Sequence, residues 1–209
     1  MVAAVCAIAT LVFAPAALAA NDTTQFSVTA GSLSLGTAPD VPNLPALTLN
    51  GQSQTLTAQM ANFSAIDATG AATGWNVTVI GDTSGGKSAV FKEYCPNATC
   101  GSNSGPGYIS GGATMAANSL TLDSTGAGFS ALSGTTGTAP THQCNSGCFI
   151  DSASAVKVVS AAALAGMGTF QTTNYGASSL SLSAPTTIRA LQTNEVYRLD
   201  LVWSLNSGP

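Results

Sequence analysis

The segment 197–206 near the C-terminus alternates in side-chain character with a period of two. One parity is mostly polar, and the other is apolar throughout, at Tyr197, Leu199, Leu201, Trp203 and Leu205. Successive side chains of a β-strand point to opposite faces, so this period is typical of an antiparallel strand with one buried face. A helix would instead place apolar residues three or four positions apart. The segment therefore predicts a half-buried strand.

Strand character recurs along most of the chain. Runs rich in Val, Leu, Thr and Phe are separated by turns rich in Gly, Ser, Asn and Pro, and these runs are 26–30, 47–49, 54–57, 63–67, 74–80, 149–159 and 167–172. The pair Asn50-Gly51 is a strong hairpin signal. The segment 39–45 holds three prolines and is expected to be an extended connector, because proline cannot donate to a sheet ladder. We expect an all-β fold, an antiparallel β-sandwich forming a single domain over residues 20–209.

Between about residues 82 and 150 the strand signal weakens and glycine becomes frequent. This stretch holds all four cysteines that follow the N-terminal segment, and we expect a loop-rich insertion pinned by disulfides. An even number of cysteines in an exported chain indicates two disulfides, although three pairings are possible. The local pairs Cys95–Cys100 and Cys144–Cys148 are favoured because each closes a small turn-like loop. A zinc site formed by these cysteines with His142 is the rival interpretation.

The N-terminal segment indicates export. Residues 2–13 form an apolar run, and Ala17-Leu18-Ala19 gives the small-x-small pattern at which signal peptidase cuts. We therefore expect residues 1–19 to be a signal peptide that carries Cys6 away with it. No Lys or Arg precedes the apolar run, which leaves open whether Met1 is the native start. No apolar stretch of membrane-spanning length follows, so we expect a secreted protein without a membrane span in the mature chain.

Charged residues make up only 7% of the chain, against about 25% in a typical soluble domain. Ser, Thr, Asn, Gln and Gly must cover most of the surface instead, which suits adhesion to a wall, a glycan or neighbouring copies. The basic residues are scattered in sequence, at Lys87, Lys92, Lys157, Arg189 and Arg198. Because no basic stripe is present, nucleic-acid binding is not expected.

Few residues could carry out catalysis. The chain has nine acidic residues and one histidine, and it lacks the G-x-S-x-G motif of a nucleophile elbow. Seven of the carboxylates are spread along the sequence, at Asp67, Asp82, Glu93, Asp123, Asp151, Glu195 and Asp200. Two of them could meet as a glycosidase pair, or several could hold one calcium ion. The expectation is a non-enzymatic protein without cofactor or metal.

Trp75 and Trp203, the two tryptophans, sit in similar frames within alternating segments. Each is followed two positions later by an aliphatic residue. With the segments 63–70, 156–170, 180–185 and 203–209, these frames resemble the WxL-domain family of bacterial cell-surface proteins. The first motif departs from the family pattern, since Val77 replaces the usual leucine. The resemblance implies non-covalent attachment to the cell wall through peptidoglycan or another wall glycan, often alongside other surface proteins.

Trp75 and Trp203 are thus candidate binding residues, but the pattern also gives each of them a buried face. An indole must be exposed to stack on a sugar ring, and alternation alone favours core packing for both. The alternative function is a structural subunit of an extracellular fibre or surface layer that assembles through β-strand contacts. Low charge and exposed strand edges favour such self-association, with residues 26–35 as a candidate donated strand.

Overall fold

The computed structural model describes residues 23–209. The predicted signal peptide, including Cys6, lies outside these residues. The described chain consists of short strands and one 3-10 turn at Ser84–Gly86. The strands are β1 (Leu33–Thr37), β2 (Gln54–Ala58), β3 (Ser64–Asp67), β4 (Trp75–Gly81), β5 (Lys92–Cys95), β6 (Thr99–Cys100), β7 (Asn103–Ser104), β8 (Gly107–Tyr108), β9 (Leu120–Leu122), β10 (Gly128–Ala131), β11 (Thr141–His142), β12 (Cys148–Phe149), β13 (Val156–Ala161), β14 (Gly168–Thr173), β15 (Leu180–Ala184), β16 (Val196–Arg198) and β17 (Leu201–Ser207).

These strands form antiparallel sheets, which confirms the predicted all-β class. The first sheet has the order β1-β3-β14-β10, the second β11-β13-β4-β17 and the third β12-β9-β15-β2. A fourth, smaller sheet has the order β16-β5-β8, and β6 pairs with β7 in a hairpin. The edges of the first two sheets meet, because β1 contacts β17 and β10 contacts β11.

A continuous hydrophobic core lies between the first three sheets. Each contributes the apolar parity of its strands, as β4 does with Trp75, Val77 and Val79, none more than 1% exposed. The intervening side chains of β4 point away from this core and are polar at Asn76 and Thr78. The period of two in the sequence therefore matches the inward face of the central strand.

The region 82–150 contains the two predicted disulfides, Cys95–Cys100 and Cys144–Cys148, with the favoured local pairing. It also contains short strands that the sequence did not indicate. Among them, β9 lies inside the third sheet and places Leu120 and Leu122 in the core. The loop-rich stretch is therefore held by strand pairing with the sheets as well as by its two disulfides.

The predicted C-terminal strand 197–206 is divided in two. Its first part, β16, pairs with β5 of the fourth sheet, and its second part, β17, pairs with β4 of the second sheet. Between them the backbone carbonyl of Asp200 accepts a hydrogen bond from the Asp82 N–H at 2.8 Å. The chain changes sheets at this bend, which alternation in the sequence cannot show because side-chain parity continues across it.

In the part of the chain that the structure describes, no helix has the length and apolar character needed to cross a membrane.

Candidate functional site

A cleft of about 1290 Å³ lies between the connector 39–49 and the segment 188–201. Its apolar wall comes from the third sheet, whose inward side chains Leu56, Leu120 and Leu182 line it. These residues face inward because their strands alternate apolar and hydroxyl side chains, as in the sequence Leu-Ser-Leu-Ser-Ala of β15. The prolines of the connector keep it out of the sheets, so that it forms the opposite wall.

Trp203 lines this cleft, whereas Trp75 does not. Trp203 is half-buried on β17, the edge strand of its sheet, and its ring centroid lies 6.1 Å from that of Phe63. Trp75 lies on the interior strand β4, is 1% exposed, and donates a hydrogen bond from Nε1 to the carbonyl of Gly166 at 3.1 Å. The two similar sequence frames therefore occupy different environments, because one strand is interior and the other is at an edge.

Four charged side chains that line the cleft, Asp82, Lys87, Arg198 and Asp200, form what we call the charged rim. The Lys87 Nζ atom lies 2.6 Å from Asp82 Oδ2 and 3.3 Å from Asp200 Oδ2. Arg198 Nε donates to Asp200 Oδ1 at 2.7 Å. The bend between β16 and β17 brings Arg198 and Asp200 beside the end of β4, which Asp82 follows directly. The rim is therefore a network of two carboxylates and two cations.

The ion pairs keep the carboxylates of the charged rim ionised. A hydrogen bond from Lys87, followed by one from the Ser84 backbone, lowers the pKa of Asp82 to about 2. Burial by itself would raise the pKa of Asp200, but the hydrogen bond and charge of Arg198, together with Lys87, outweigh it and hold this pKa below its usual value. Carboxylates that stay ionised accept hydrogen bonds and are poor proton donors near neutral pH.

Aromatic side chains adjoin the charged rim. The Arg198 guanidinium lies over the ring of Tyr94, 4.5 Å from its centroid, which is a cation–π geometry. The Tyr94 ring meets that of Tyr108 edge to face at 5.1 Å. Tyr197 also lines the cleft and donates from its hydroxyl to the Arg189 carbonyl at 3.0 Å. The cleft thus combines Trp203, Tyr94 and Tyr197 with fixed hydrogen-bonding charges.

Most basic side chains gather at this cleft, although they are scattered in sequence. Lys87, Arg189 and Arg198 line it, and Lys92 is the strand partner of Arg198 across β5 and β16. Lys157 alone lies elsewhere, exposed on β13. The pairing of β5 with β16, which are about a hundred residues apart in sequence, brings Lys92 and Arg198 together. The two rim carboxylates form ion pairs with two of these cations, Lys87 and Arg198.

Two buried glutamates hold the loops beside the cleft. Glu195 is 9% exposed and accepts hydrogen bonds from Asn103 Nδ2 at 2.6 Å and from the Gln192 N–H at 2.8 Å. The Asn103 hydrogen bond is the main cause that lowers the pKa of Glu195. Glu93, 3% exposed, accepts from the Ala113 N–H at 2.7 Å. Both side chains are positioned by the pairing of β5 with β16, so no sequence spacing could have indicated their shared role.

Neither disulfide has a sulfur in the cleft, although Pro96, beside Cys95, lines it. Cys144–Cys148 links the turn that follows β11 to the first residue of β12. Because all four thiols are oxidised, they cannot ligate zinc as thiolates. In residues 23–209 no three His, Cys, Asp or Glu side chains lie close enough together to hold a metal ion.

His142 lies outside the cleft, in the seam between β10 and β11. Its ring stacks on Phe129 with centroids 4.4 Å apart and meets Tyr175 edge to face at 5.5 Å. Its Nε2 lies 3.3 Å from the Gly128 carbonyl oxygen, which fits a neutral ring protonated at Nε2. Burial lowers the pKa of His142, and the Gly128 carbonyl offsets this only in part. The environment is that of a packed, neutral imidazole.

His142 should make the fold less stable in mild acid. Its pKa in the folded state lies below the ordinary value of 6.5, so its full contribution is present above that pH and is lost as the pH falls below it. We expect urea unfolding to show a free energy that falls between neutral pH and about pH 5. His142→Phe keeps the stacked ring but removes the titration, and should flatten this dependence. If the free energy of unfolding depends on pH equally in the parent and in His142→Phe, His142 is not the source of this pH dependence.

No known protein-family model, curated protein or solved structure matches this chain. The resemblance to WxL-domain proteins therefore rests on the sequence motifs.

Proposed function

We propose that this chain is an exported, non-enzymatic protein of the bacterial cell surface that attaches non-covalently to the cell wall. Peptidoglycan or a related wall glycan is the ligand, and the cleft beside Trp203 is its binding site. The protein acts outside the cell, at the wall surface, alone or with other surface proteins. This role unites the leader-like N-terminus and the WxL-like motifs with the site described above.

The observation that carries the proposal is the composition of the cleft. Sugar rings present apolar faces that pack on aromatic side chains and hydroxyl edges that need hydrogen-bonding partners. Trp203, Tyr94 and Tyr197 supply aromatic surface along the cleft, and the charged rim supplies both donors and acceptors. A concave site that combines apolar surface with a few fixed polar groups is a common form of ligand site.

The charged rim also indicates how the ligand would be held. It pairs two carboxylates with two cations, and the ion pairs are at most 3.3 Å long. A locally neutral site has little long-range attraction to screen, so binding should depend weakly on salt. The ionised rim carboxylates are also poorly suited to protonate a leaving group, which favours binding over glycoside hydrolysis.

The direct test is co-sedimentation of residues 20–209 with purified, protein-free peptidoglycan. We expect the chain to pellet with peptidoglycan, to remain bound at high ionic strength, and to be released by soluble peptidoglycan fragments. Cellulose of similar particle size is the control for non-specific adhesion. A chain that stays in the supernatant with peptidoglycan, or that pellets equally with cellulose, would contradict the proposal.

A further inference from the structure

The segment 23–30 extends from the fold as an exposed arm. Its alternating apolar residues include Phe26, 90% exposed, and Val28, 82% exposed. In the described chain the first strand begins at Leu33, and the first backbone hydrogen bond of the N-terminal region runs from the Gly31 N–H to the Ala68 carbonyl at 2.8 Å. Phe26 and Val28 share one parity, so together they present an exposed apolar stripe, and contiguous exposed apolar surface often marks an interaction site. We call residues 23–30 the arm.

The arm is shorter than the donated strand predicted at 26–35. Leu33 and Leu35 belong to β1 and pair within the same chain with Asp67 and Ala65 of β3. Only the residues before Gly31 therefore remain available to another molecule. Their pattern, apolar at Phe26, Val28 and Ala30 and hydroxylated between, is that of a half-buried strand.

The third sheet ends in a strand with one unpaired side. Its edge strand β2 pairs with β15, where Thr55 lies opposite Ser183 and Thr57 opposite Ser181. The Ser183 N–H donates to the Ser119 carbonyl on the β9 side. The backbone N–H and C=O groups of Ser181 and Ser183 therefore point away from β2. In an antiparallel pair, the backbone groups of the directly opposite residue then also point away from the partner strand. The backbone N–H and C=O groups of Thr55 and Thr57 therefore point away from β15, towards the unpaired side of β2.

This edge lacks the features that usually prevent strand addition. Natural edges are protected by charge, proline or a bulge. The β2 sequence Gln-Thr-Leu-Thr-Ala has neither charge nor proline, and its register with β15 is unbroken. No charged residue occurs from 41 to 66, and none occurs from 23 to 39. Neither the β2 edge nor the arm therefore carries charge that would repel the other.

We propose that the arm of one copy adds as a strand to the β2 edge of a second copy. The backbone N–H and C=O groups of Thr55 and Thr57 would pair with the backbone of the arm, as in other strand-addition interfaces. One parity of the arm, Phe26, Val28 and Ala30, would extend the apolar side of the third sheet beside Leu56. The hydroxylated parity would continue the exposed row of Thr55 and Thr57.

The positions of arm and edge make this contact head to tail. The arm leaves the fold beside Ala68, just past the end of β3, whereas β2 leads through residues 59–63 into the start of β3. Donor and acceptor are thus different surfaces of the molecule. A contact between two different surfaces does not close on itself unless a ring forms, so it generates extended chains of subunits. Leu56, beside which the arm would lie, also lines the cleft, so the assembly interface borders the proposed glycan site. Assembly would make wall attachment multivalent.

Sedimentation velocity of residues 20–209 over a range of concentrations tests the assembly. We expect species heavier than the monomer that increase with concentration. Deletion through Ala30 should abolish them, and so should Phe26→Ser with Val28→Ser. Leu164→Ser is the matched control, because Leu164 is 75% exposed elsewhere, and it should assemble as the parent does. Thr57→Pro should also abolish assembly, since the N–H that it removes points outward.

Complementation gives the sharpest outcome. The arm-deleted chain keeps only the acceptor edge, and Thr57→Pro keeps only the donor arm, so each should be monomeric alone. Mixed together, they should form a heterodimer, and no assembly larger than this dimer should appear. A parent that is monomeric at every concentration would overturn the proposal, as would assembly by the arm-deleted chain or failure of the two folded variants to pair. The readout here is the mass of the assembled species, whereas peptidoglycan binding is read by co-sedimentation of cleft variants, so failure of one proposal is distinguishable from failure of the other.

Discussion

Trp203→Ala is expected to weaken binding to purified peptidoglycan at least about tenfold, the loss typical of removing an aromatic anchor from an interface. Trp203 is the tryptophan that lines the cleft, and its half-buried ring lies beside the apolar wall. Alanine leaves neither a ring face for a sugar to pack against nor the bulk that shapes the site. Co-sedimentation over a range of peptidoglycan concentrations gives the change in apparent affinity.

Trp203 also packs on Phe63, so loss of binding must be separated from loss of fold. Trp203→Phe provides this control, because it keeps an aromatic ring against Phe63 and should retain part of the affinity. Circular dichroism in the near ultraviolet should show a folded chain for both variants. If a folded Trp203→Ala chain binds peptidoglycan as the parent does, the ligand does not occupy this cleft.

Trp75→Ala is expected to lower the free energy of unfolding by about 3–5 kcal/mol, the usual range for truncating a large aromatic core residue. Trp75 is 1% exposed between β13 and β17, and its Nε1 satisfies the Gly166 carbonyl. The substitution leaves a cavity and an unpaired carbonyl, and both are destabilising. Urea unfolding followed by far-ultraviolet circular dichroism measures the change.

Trp75→Phe is the graded control for this second result. It fills most of the space and removes the indole N–H, so its loss of stability should be smaller than that of alanine. Where either variant remains folded, its affinity for peptidoglycan should equal that of the parent, because Trp75 does not line the cleft. Normal stability of Trp75→Ala would show that this residue does not anchor the core.

Local pattern was sufficient to predict the class of the fold. Alternation at 74–80 and 197–206, with turn residues between runs, indicated antiparallel strands, and β4 and β17 lie where these patterns occur. The favoured disulfides also followed from spacing, because Cys95–Cys100 and Cys144–Cys148 close loops of a few residues. Strand β9 went unrecognised, since three residues are too few to display a period.

The candidate site could not be predicted in the same way. The charged rim joins Asp82 and Lys87 to Arg198 and Asp200 across more than a hundred residues of sequence. Their proximity depends on β17 pairing with β4, and on the bend that separates β17 from β16. Long-range strand pairing of this kind is set by the packing of whole sheets, and it leaves no spacing signal between the residues that it joins.

The sequence by itself determined which side chains share a strand face, because parity is a local property of the extended backbone. It therefore gave Trp75 and Trp203 the same description, an aromatic residue on the apolar parity of a strand. Only the tertiary structure decided that they differ, since burial depends on what lies on either side of a strand within its sheet. Interior β4 encloses Trp75, whereas edge strand β17 leaves Trp203 beside the cleft.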